Sequence, residues 1–337
     1  MNSDSRIGIG VVGLGVGEQH ARTYASLREC DLRWVHDANG DRARSLAAQL
    51  GTRVAGTYEE ILADREVQIV SLASFDQDHF AQVLAALAAG KHVFVEKPLC
   101  ESLEQLRSVK EAWSQHRGRV KLSSNLVLRA APLYQWLKKR AAEGDFGRIY
   151  AFDGDYLYGR VWKITEGWRK NVPDYSVMFG GGIHLVDLMV WITGERPHAV
   201  RTVGNKICTS GTEFRYHDYM AATFQFPSGL IARITANFGC VHRHQHVMRI
   251  FGEQATFLYD DSGPRMHCTR DPSAGASSIS IAALPETKGD LIPAFVNAVR
   301  LNLDLDKDTQ DIFDSISICA ASDQAIYSGS LEEITYV

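Results

Sequence analysis

The chain has 337 residues, 45% of them hydrophobic and 23% charged, with a formal net charge of −4, the balance of a soluble globular protein with room for about two domains. That charge offers no basic face for nucleic acid, and no apolar run approaches the roughly 18 residues of a membrane span. Six scattered cysteines without a CxxC pair argue against a disulfide framework or zinc module, and MNSDSRIG lacks a signal-peptide core, so a cytoplasmic protein with no membrane partner is expected.

Residues 6–12 (RIGIGVV) read as a buried strand. A literal GxGxxG falls at Gly8, Gly10 and Gly13, inside that strand, where it cannot cradle a phosphate. The useful glycines follow it: Gly13, Gly15 and Gly17 in GLGVGEQH, leading into a helix over 18–27. Glycines there let backbone N–H groups approach a pyrophosphate, which the helix N-terminus then favours electrostatically. Their GxGxG spacing is one residue short of the usual fingerprint and demands a tighter turn. A second strand over 32–36 ends at Asp37, 22 residues after Gly15. An acidic residue so placed accepts from the ribose 2′-hydroxyl of NAD and repels a 2′-phosphate. NAD is therefore expected over NADP, with Arg42 close by as the one opposing feature.

Strands and helices then alternate. Helices are expected over 42–50, around 61–62, over 80–89 (closed by Gly90) and over 102–115; strands over 54–55, 67–73, 92–95 and near 120–124. This pattern means a parallel, doubly wound sheet with right-handed crossovers, in a first domain of residues 1–124. The strand 92–95, within GKHVFVEKPL, delivers Glu96 and Lys97 to its carboxyl end, where open α/β sheets bind ligands, and Pro98 stops further pairing. A surface Glu–Lys pair is the alternative for that tripeptide alone. The expected cofactor set is Gly13, Gly15, Val16, Gly17, Asp37, Ser74, His79, Glu96 and Lys97.

The remaining residues, 125–337, change character from about Gly147. Residues 148–162 (RIYAFDGDYLYGRVW) read as a strand with Tyr150, Phe152, Tyr156 and Tyr158 on one face. Further strands are expected over 219–226, 230–238, 246–251 and 255–259, flanked by helices near 292–301 and 312–328. They make an α+β domain with a large, open-faced, mainly antiparallel sheet that offers one face to a partner subunit. Between its first two strands, Gly180–182 read as a glycine turn before a helix over 183–193. His184 and Asp187 share one face in that helix's first turn, which makes His184 a catalytic candidate. Arg160, Lys163, Arg169 and Lys170 sit beside the aromatic strand. With Tyr156, Tyr158 or Trp162 stacking on a ring, they suit a nucleotide sugar, unless they form only a solvated loop. His242, His244 and His246 alternate, and with arginines interleaved and no carboxylate in the run they read as a polar, intersubunit sheet face rather than a metal site.

The order GLGVGEQH, Asp37, GKHVFVEKPL, Trp168-Arg169 and GGGIHLVD, with Asn125, Arg129 and Pro132 between, resembles the glucose–fructose oxidoreductase and inositol dehydrogenase-like family (Gfo/Idh/MocA) over nearly the whole chain. The resemblance implies a Rossmann domain plus an open-faced α/β domain, tightly bound NAD(P), homodimers or homotetramers, and sugar, nucleotide-sugar or cyclitol substrates. It makes Lys97 the cofactor-side catalytic lysine and His184 the acid–base residue, meeting over the nicotinamide, with Asp187, Trp168, Arg169, Tyr156 and Asn125 as supporting or substrate residues. Many family dehydrogenases carry an aspartate four residues before the histidine, where this chain has Gly180. Either Asp187 or another residue then supports His184. A non-catalytic dinucleotide- or sugar-sensing relative is the rival reading, and an imine- or enone-reducing relative a third. Lost catalytic residues would mark the sensor, and Lys97 and His184 are both present.

Overall fold

The computed structural model describes residues 6–337; Met1–Ser5, part of the stretch read as lacking a signal core, lie outside the described residues. The chain divides into two compact units, one holding the described residues through Ala130 with Pro285–Phe313 and Val337, the other Ala131–Leu284 with Asp314–Tyr336.

In the first unit, strands β1 (Ile7–Val12), β2 (Cys30–His36), β3 (Arg53–Val54), β4 (Val67–Leu72), β5 (His92–Val95) and β6 (Leu122–Ser124) alternate with helices α1 (Gly17–Ser26), α2 (Gly40–Leu50), α3 (Tyr58–Ala63), α4 (His79–Ala88) and α5 (Leu103–Gln115). The strands pair in parallel in the order β3-β2-β1-β4-β5-β6, the doubly wound arrangement whose switch point lies between β1 and β4. Local chemistry sets the helix ends. Asn39, Thr57 and Ser102 each accept a backbone N–H of the first turn of α2, α3 and α5, and Gly51 closes α2 in the left-handed conformation.

A single cut after residue 124 misses one feature of this unit. Helix α9 (Ile292–Arg300), far along the chain, buries Ile292, Phe295 and Val296 in the same core as Ile9, Val11 and Phe94. The rings of Phe94 and Phe295 lie 5.4 Å apart. An amphipathic helix this apolar on one face has to be covered, and the first sheet covers it.

The second unit begins with α6 (Pro132–Ala142), continues through β7 (Ile149–Leu157), a short helix α7 (Trp162–Thr165) and α8 (Ile183–Thr193), and then runs through β8 (Ala199–Asn205), β9 (Tyr219–Gln225), β10 (Ile231–Asn237), β11 (Gln245–Gly252), β12 (Thr256–Asp260), β13 (Gly263–His267) and β14 (Ser277–Ser278). With β15 (Glu332–Glu333) these strands form a nine-stranded sheet in the order β14-β13-β12-β11-β7-β10-β9-β8-β15. All pairs are antiparallel except β7 with β10. The long helix α10 (Asp306–Ser328) closes the chain's helical set.

The strand expected over 148–162 ends at Leu157, and Trp162 opens α7 instead. Strands β8, β13, β14 and β15 lie outside those expectations: β14 and β15 are two residues each, β13 (GPRMH) opens on a glycine and a proline, and β8 buries Ala199, Val200 and Thr202 but leaves Val203 exposed. The sheet is covered on one side: Phe152, Phe224, Ile234 and Ile250 are all fully buried. A Cβ on Gly154 would stand 3.2 Å from Leu185, so α8 rides directly on β7. The opposite face carries Asp153, Asp155, Arg233 and Arg249, with Arg233 and Arg249 both paired to Asp155 at 2.8 and 3.2 Å. No described helix is long and apolar enough to cross a membrane.

Candidate active site

In the first unit, three glycines after β1 have three different duties. Gly13 has φ +79°, and a Cβ there would meet Ser74 N at 2.4 Å, so the chain turns hard against the end of β4. Gly15 has no atom within 4 Å of its would-be Cβ and leaves the turn's outer surface open. Gly17 starts α1, where a Cβ would press on Ala73 at 3.1 Å, so it sets how closely helix and sheet approach. Val16, the residue before α1, is 39% exposed beside this open surface. The cradle thus has the three properties a dinucleotide pyrophosphate requires: a tight turn, unobstructed backbone and a close helix N-terminus.

At the end of β2, Asp37 accepts the Leu14 N–H at 2.6 Å and the Asn39 N–H at 2.7 Å, and Arg42 stands 3.5 Å away. The carboxylate is therefore held by the glycine turn itself. Carboxylate oxygens have further lone pairs, so ribose hydroxyls can still be accepted. After β4, the Ser74 hydroxyl donates to Gln82 at 2.6 Å and the buried His79 uses Nδ1 to bond the Pro98 carbonyl at 2.7 Å.

Glu96 and Lys97 diverge from the end of β5. Glu96 turns inward: its Oε1 lies 3.2 Å from His20 Nε2 and accepts Asn125 Nδ2–H at 2.6 Å. His20 Nδ1 lies 3.0 Å from the Ser71 hydroxyl, and Asn125 also donates to the Lys288 carbonyl at 2.7 Å. Burial alone would raise the Glu96 carboxyl, but the His20, Lys288 and Asn125 groups outweigh it and bring it down to about 2. Lys97 lies within electrostatic reach of Glu101, whose carboxyl is pushed up to about 7 by burial and by Asp76 and Asp78, with Lys97 opposing. A buried anionic network thus anchors the backbone that presents the lysine. Sequence reasoning missed His20 and Ser71, which come from α1 and β4 and leave no local signal.

In the second unit the site gathers on Tyr156. It sits opposite His246 in the β7–β11 ladder. Its ring lies 5.3 Å from His246, 5.1 Å from His244, 5.8 Å from Tyr158, 5.7 Å from Phe238 and 6.4 Å from His184. His184 and His246 are themselves 6.0 Å apart and nearly perpendicular, and both are buried. Burial first, then Tyr158 and Tyr175, raise the Tyr156 phenol well above its usual range, while Arg169 and Arg160 pull the other way. Two guanidinium groups therefore bear on this aromatic pocket. Arg160 lies over Tyr158, Arg169 over Trp168, and Lys163 over Trp162, whereas Lys170 is bound to Glu213 at 2.7 Å. Asp187 is buried; the Cys319 thiol is pushed well up by burial first, then by Asp323 and Asp187.

Two expectations need correcting here. The histidines do not line an open, intersubunit face: His246 lies on the covered side with Tyr156 and His184, and His242 instead pairs with Asp261 at 3.0 Å. Nor are Gly180–182 an irregular turn. Residues Met178–Gly182 form a single π-helical turn continuous with α8, and none of the three glycines has a positive φ. They are glycines for lack of space. A Cβ on Gly181 would lie 2.1 Å from Tyr156 Cε1. Gly181→Ala is therefore expected to destabilise the chain by about 1–3 kcal/mol, the usual cost of overpacking, read as a lower midpoint in thermal or urea unfolding. An unchanged midpoint would mean that Tyr156 moves aside freely.

Both units match known sequence patterns. Residues 7–124 match the oxidoreductase family with an NAD-binding Rossmann fold, and residues 134–258 match the GFO/IDH/MocA C-terminal domain. The chain belongs to the Gfo/Idh/MocA oxidoreductase family. Among curated relatives, it is 26% identical to an inositol 2-dehydrogenase of Acidothermus cellulolyticus over 78% of this chain and 76% of that one. It is 27% identical to a UDP-N-acetylglucosamine 3-dehydrogenase of Acidithiobacillus ferrooxidans over 86% of this chain and 88% of that one. Among solved structures, a levoglucosan dehydrogenase in complex with NADH and levoglucosan superposes with a TM-score of 0.85, covering 98% of this chain and 100% of that one at 19% identity. At that identity the Gfo/Idh/MocA likeness is one of fold.

Proposed function

We propose that this protein is an NAD-dependent dehydrogenase acting on a hydroxyl-bearing, or in reverse a keto, carbon of a polyhydroxylated ring: a cyclitol, a sugar or a nucleotide sugar. The observation that carries the reading is His184, buried against Tyr156 and His246 in the second unit, in a chain whose EKP lysine stands on a charge-anchored strand end in the first. Bound NAD would supply the hydride acceptor, held by the turn at Gly13, Gly15, Val16 and Gly17 and by Asp37, with Ser74, His79, Glu96 and Lys97 near the nicotinamide end. His184 takes the hydroxyl proton, and the Lys97 ammonium stabilises the developing alkoxide. Asn125 steadies Glu96 beneath Lys97. Asp187, Trp168, Arg169 and Tyr156 shape the substrate side. Both candidate catalytic residues are present, which favours turnover over the non-catalytic sensor reading.

Arg160 and Arg169, both acting on Tyr156, favour a substrate with an anionic group, so a nucleotide sugar is the more specific form of this proposal. The first unit holds cofactor, and the open face of the nine-stranded sheet joins copies into a homodimer or homotetramer. Six free cysteines among the described residues suit a reducing cytoplasm. The test is reduction of NAD by purified protein offered myo-inositol, a free hexose and UDP-N-acetylglucosamine in parallel. Turnover with any of the three supports the dehydrogenase, and preference for the last supports the anionic form. Failure with all three, in both directions and with NADP as well, would overturn it.

A further inference from the structure

Gly180 stands where many family dehydrogenases carry an aspartate, and the structure shows what fills the space. A Cβ on Gly180 would lie 2.1 Å from the Tyr175 hydroxyl oxygen and 2.8 Å from its Cζ. The phenol therefore occupies the volume into which any side chain at 180 would project. Position 180 is four residues before His184, on the π-helical turn that runs into α8, so the two positions lie about one helical turn apart.

Tyr175 belongs to the same buried cluster as the histidine. It is 4% exposed, meets Phe238 and Phe214 edge-on at 6.4 and 6.0 Å, and acts electrostatically on Tyr156, whose ring in turn faces His184. Its backbone is firmly placed. The hydroxyl of the next residue, Ser176, donates to Asp323 at 2.7 Å and accepts the Met178 N–H at 3.1 Å, and the Ser176 carbonyl accepts the Gly180 N–H at 2.8 Å. Tyr175 and Gly180 are thus one device: the tyrosine requires the glycine, and the pair places a neutral hydroxyl where a carboxylate would otherwise stand.

We propose that Tyr175 is a positioning residue for His184, its phenol replacing the carboxylate that position 180 lacks; this rests on the assignment of His184 as the acid–base residue. The replacement changes the chemistry. A carboxylate beside an imidazole favours the imidazolium, whereas a neutral phenol does not. Tyr156, His244 and His246 face His184 from the sheet, and Asp187 stands on its own helix. With those unchanged, His184 holds its proton less tightly than it would with a second carboxylate at position 180, and is the readier base for a substrate hydroxyl.

Two variants of the full chain test this, Tyr175→Phe and the double Tyr175→Ala/Gly180→Asp. The first readout is the titration of His184 by NMR of protein carrying ¹⁵N-histidine, its signal assigned by loss in His184→Gln. The second is kcat and KM across pH with whichever of the three substrates turns over. Tyr175→Phe, which takes the hydroxyl dipole out of the buried surroundings of His184, is expected to lower kcat severalfold, with KM little changed and the His184 titration and the acid limb of the pH profile displaced together. The double variant is expected to raise the His184 ionisation by about one unit or more, as an opposite charge within about 4–6 Å does, and to move the acid limb with it. If both variants leave the His184 titration and the pH profile where they were, the proposal is wrong. Tyr175→Phe removes one oxygen and keeps the ring packing, so it decides the question even if the double variant does not fold. A protein that turns over no polyol refutes the dehydrogenase reading, while the His184 titration still decides the role of Tyr175.

Discussion

Alanine at Lys97 or at His184 is expected to cut turnover by about 10²–10⁴-fold, the usual scale for a lost general acid–base group or a lost charge at a developing oxyanion, while NAD affinity stays within a few-fold of the parent. The split follows from where each residue stands. In the proposed reading the glycine turn and Asp37 would carry the ribose and pyrophosphate requirements without help from Lys97. His184 lies wholly in the second unit, among Tyr156, His244 and His246. Cofactor titration by fluorescence and steady-state kinetics separate the two effects. Because the two residues would act on one proton and one oxygen, removing both should cost little more than removing the worse of the two. Normal turnover in either single variant would remove that residue from the mechanism; fully additive losses would mean that they serve separate steps.

Glu96→Gln is expected to destabilise the first unit by about 3 kcal/mol near neutral pH, from a carboxyl that falls from 4.5 to about 2 on folding. The loss has a specific pH dependence. The folded value lies below the unfolded one, so the stabilisation is complete above about 4.5 and disappears as the pH falls toward about 2. The stabilities of parent and variant should therefore converge in acid, over that window, in urea unfolding followed pH by pH. A constant difference would mean that the amide disturbs packing rather than removing a charge interaction. Turnover should fall too, because Glu96 and Lys97 are consecutive and the His20 and Asn125 contacts fix the strand end that presents the lysine.

What could be read from the residues in order was whatever short-range backbone chemistry writes down. The alternation of apolar strands and helices in the first 124 residues, the glycines after β1, Asp37 at the end of β2 and the EKP segment after β5 each need only their neighbours to be recognised. The helix carrying His184 was legible for the same reason, from its apolar majority and from Gly194, which closes it at φ +72°. Function at the level of a nicotinamide oxidoreductase followed from those segments together.

Features made by residues distant in the chain were not legible. His20 reaches Ser71 and Glu96 across 51 and 76 positions, and α9 joins the first core from beyond the second sheet. His246 looked like part of an alternating polar run until strand pairing set it opposite Tyr156 under α8. The glycines at 180–182 show the ambiguity most sharply. A glycine run reads the same whether the chain needs a positive φ or merely the absence of a Cβ, and only the rings of Tyr156 and Tyr175 lying against this one decide for the second. The sequence alone determined which local conformations and which reactive groups exist. The tertiary structure decided what each group touches, because burial, charge pairing and excluded volume arise only when separate segments meet.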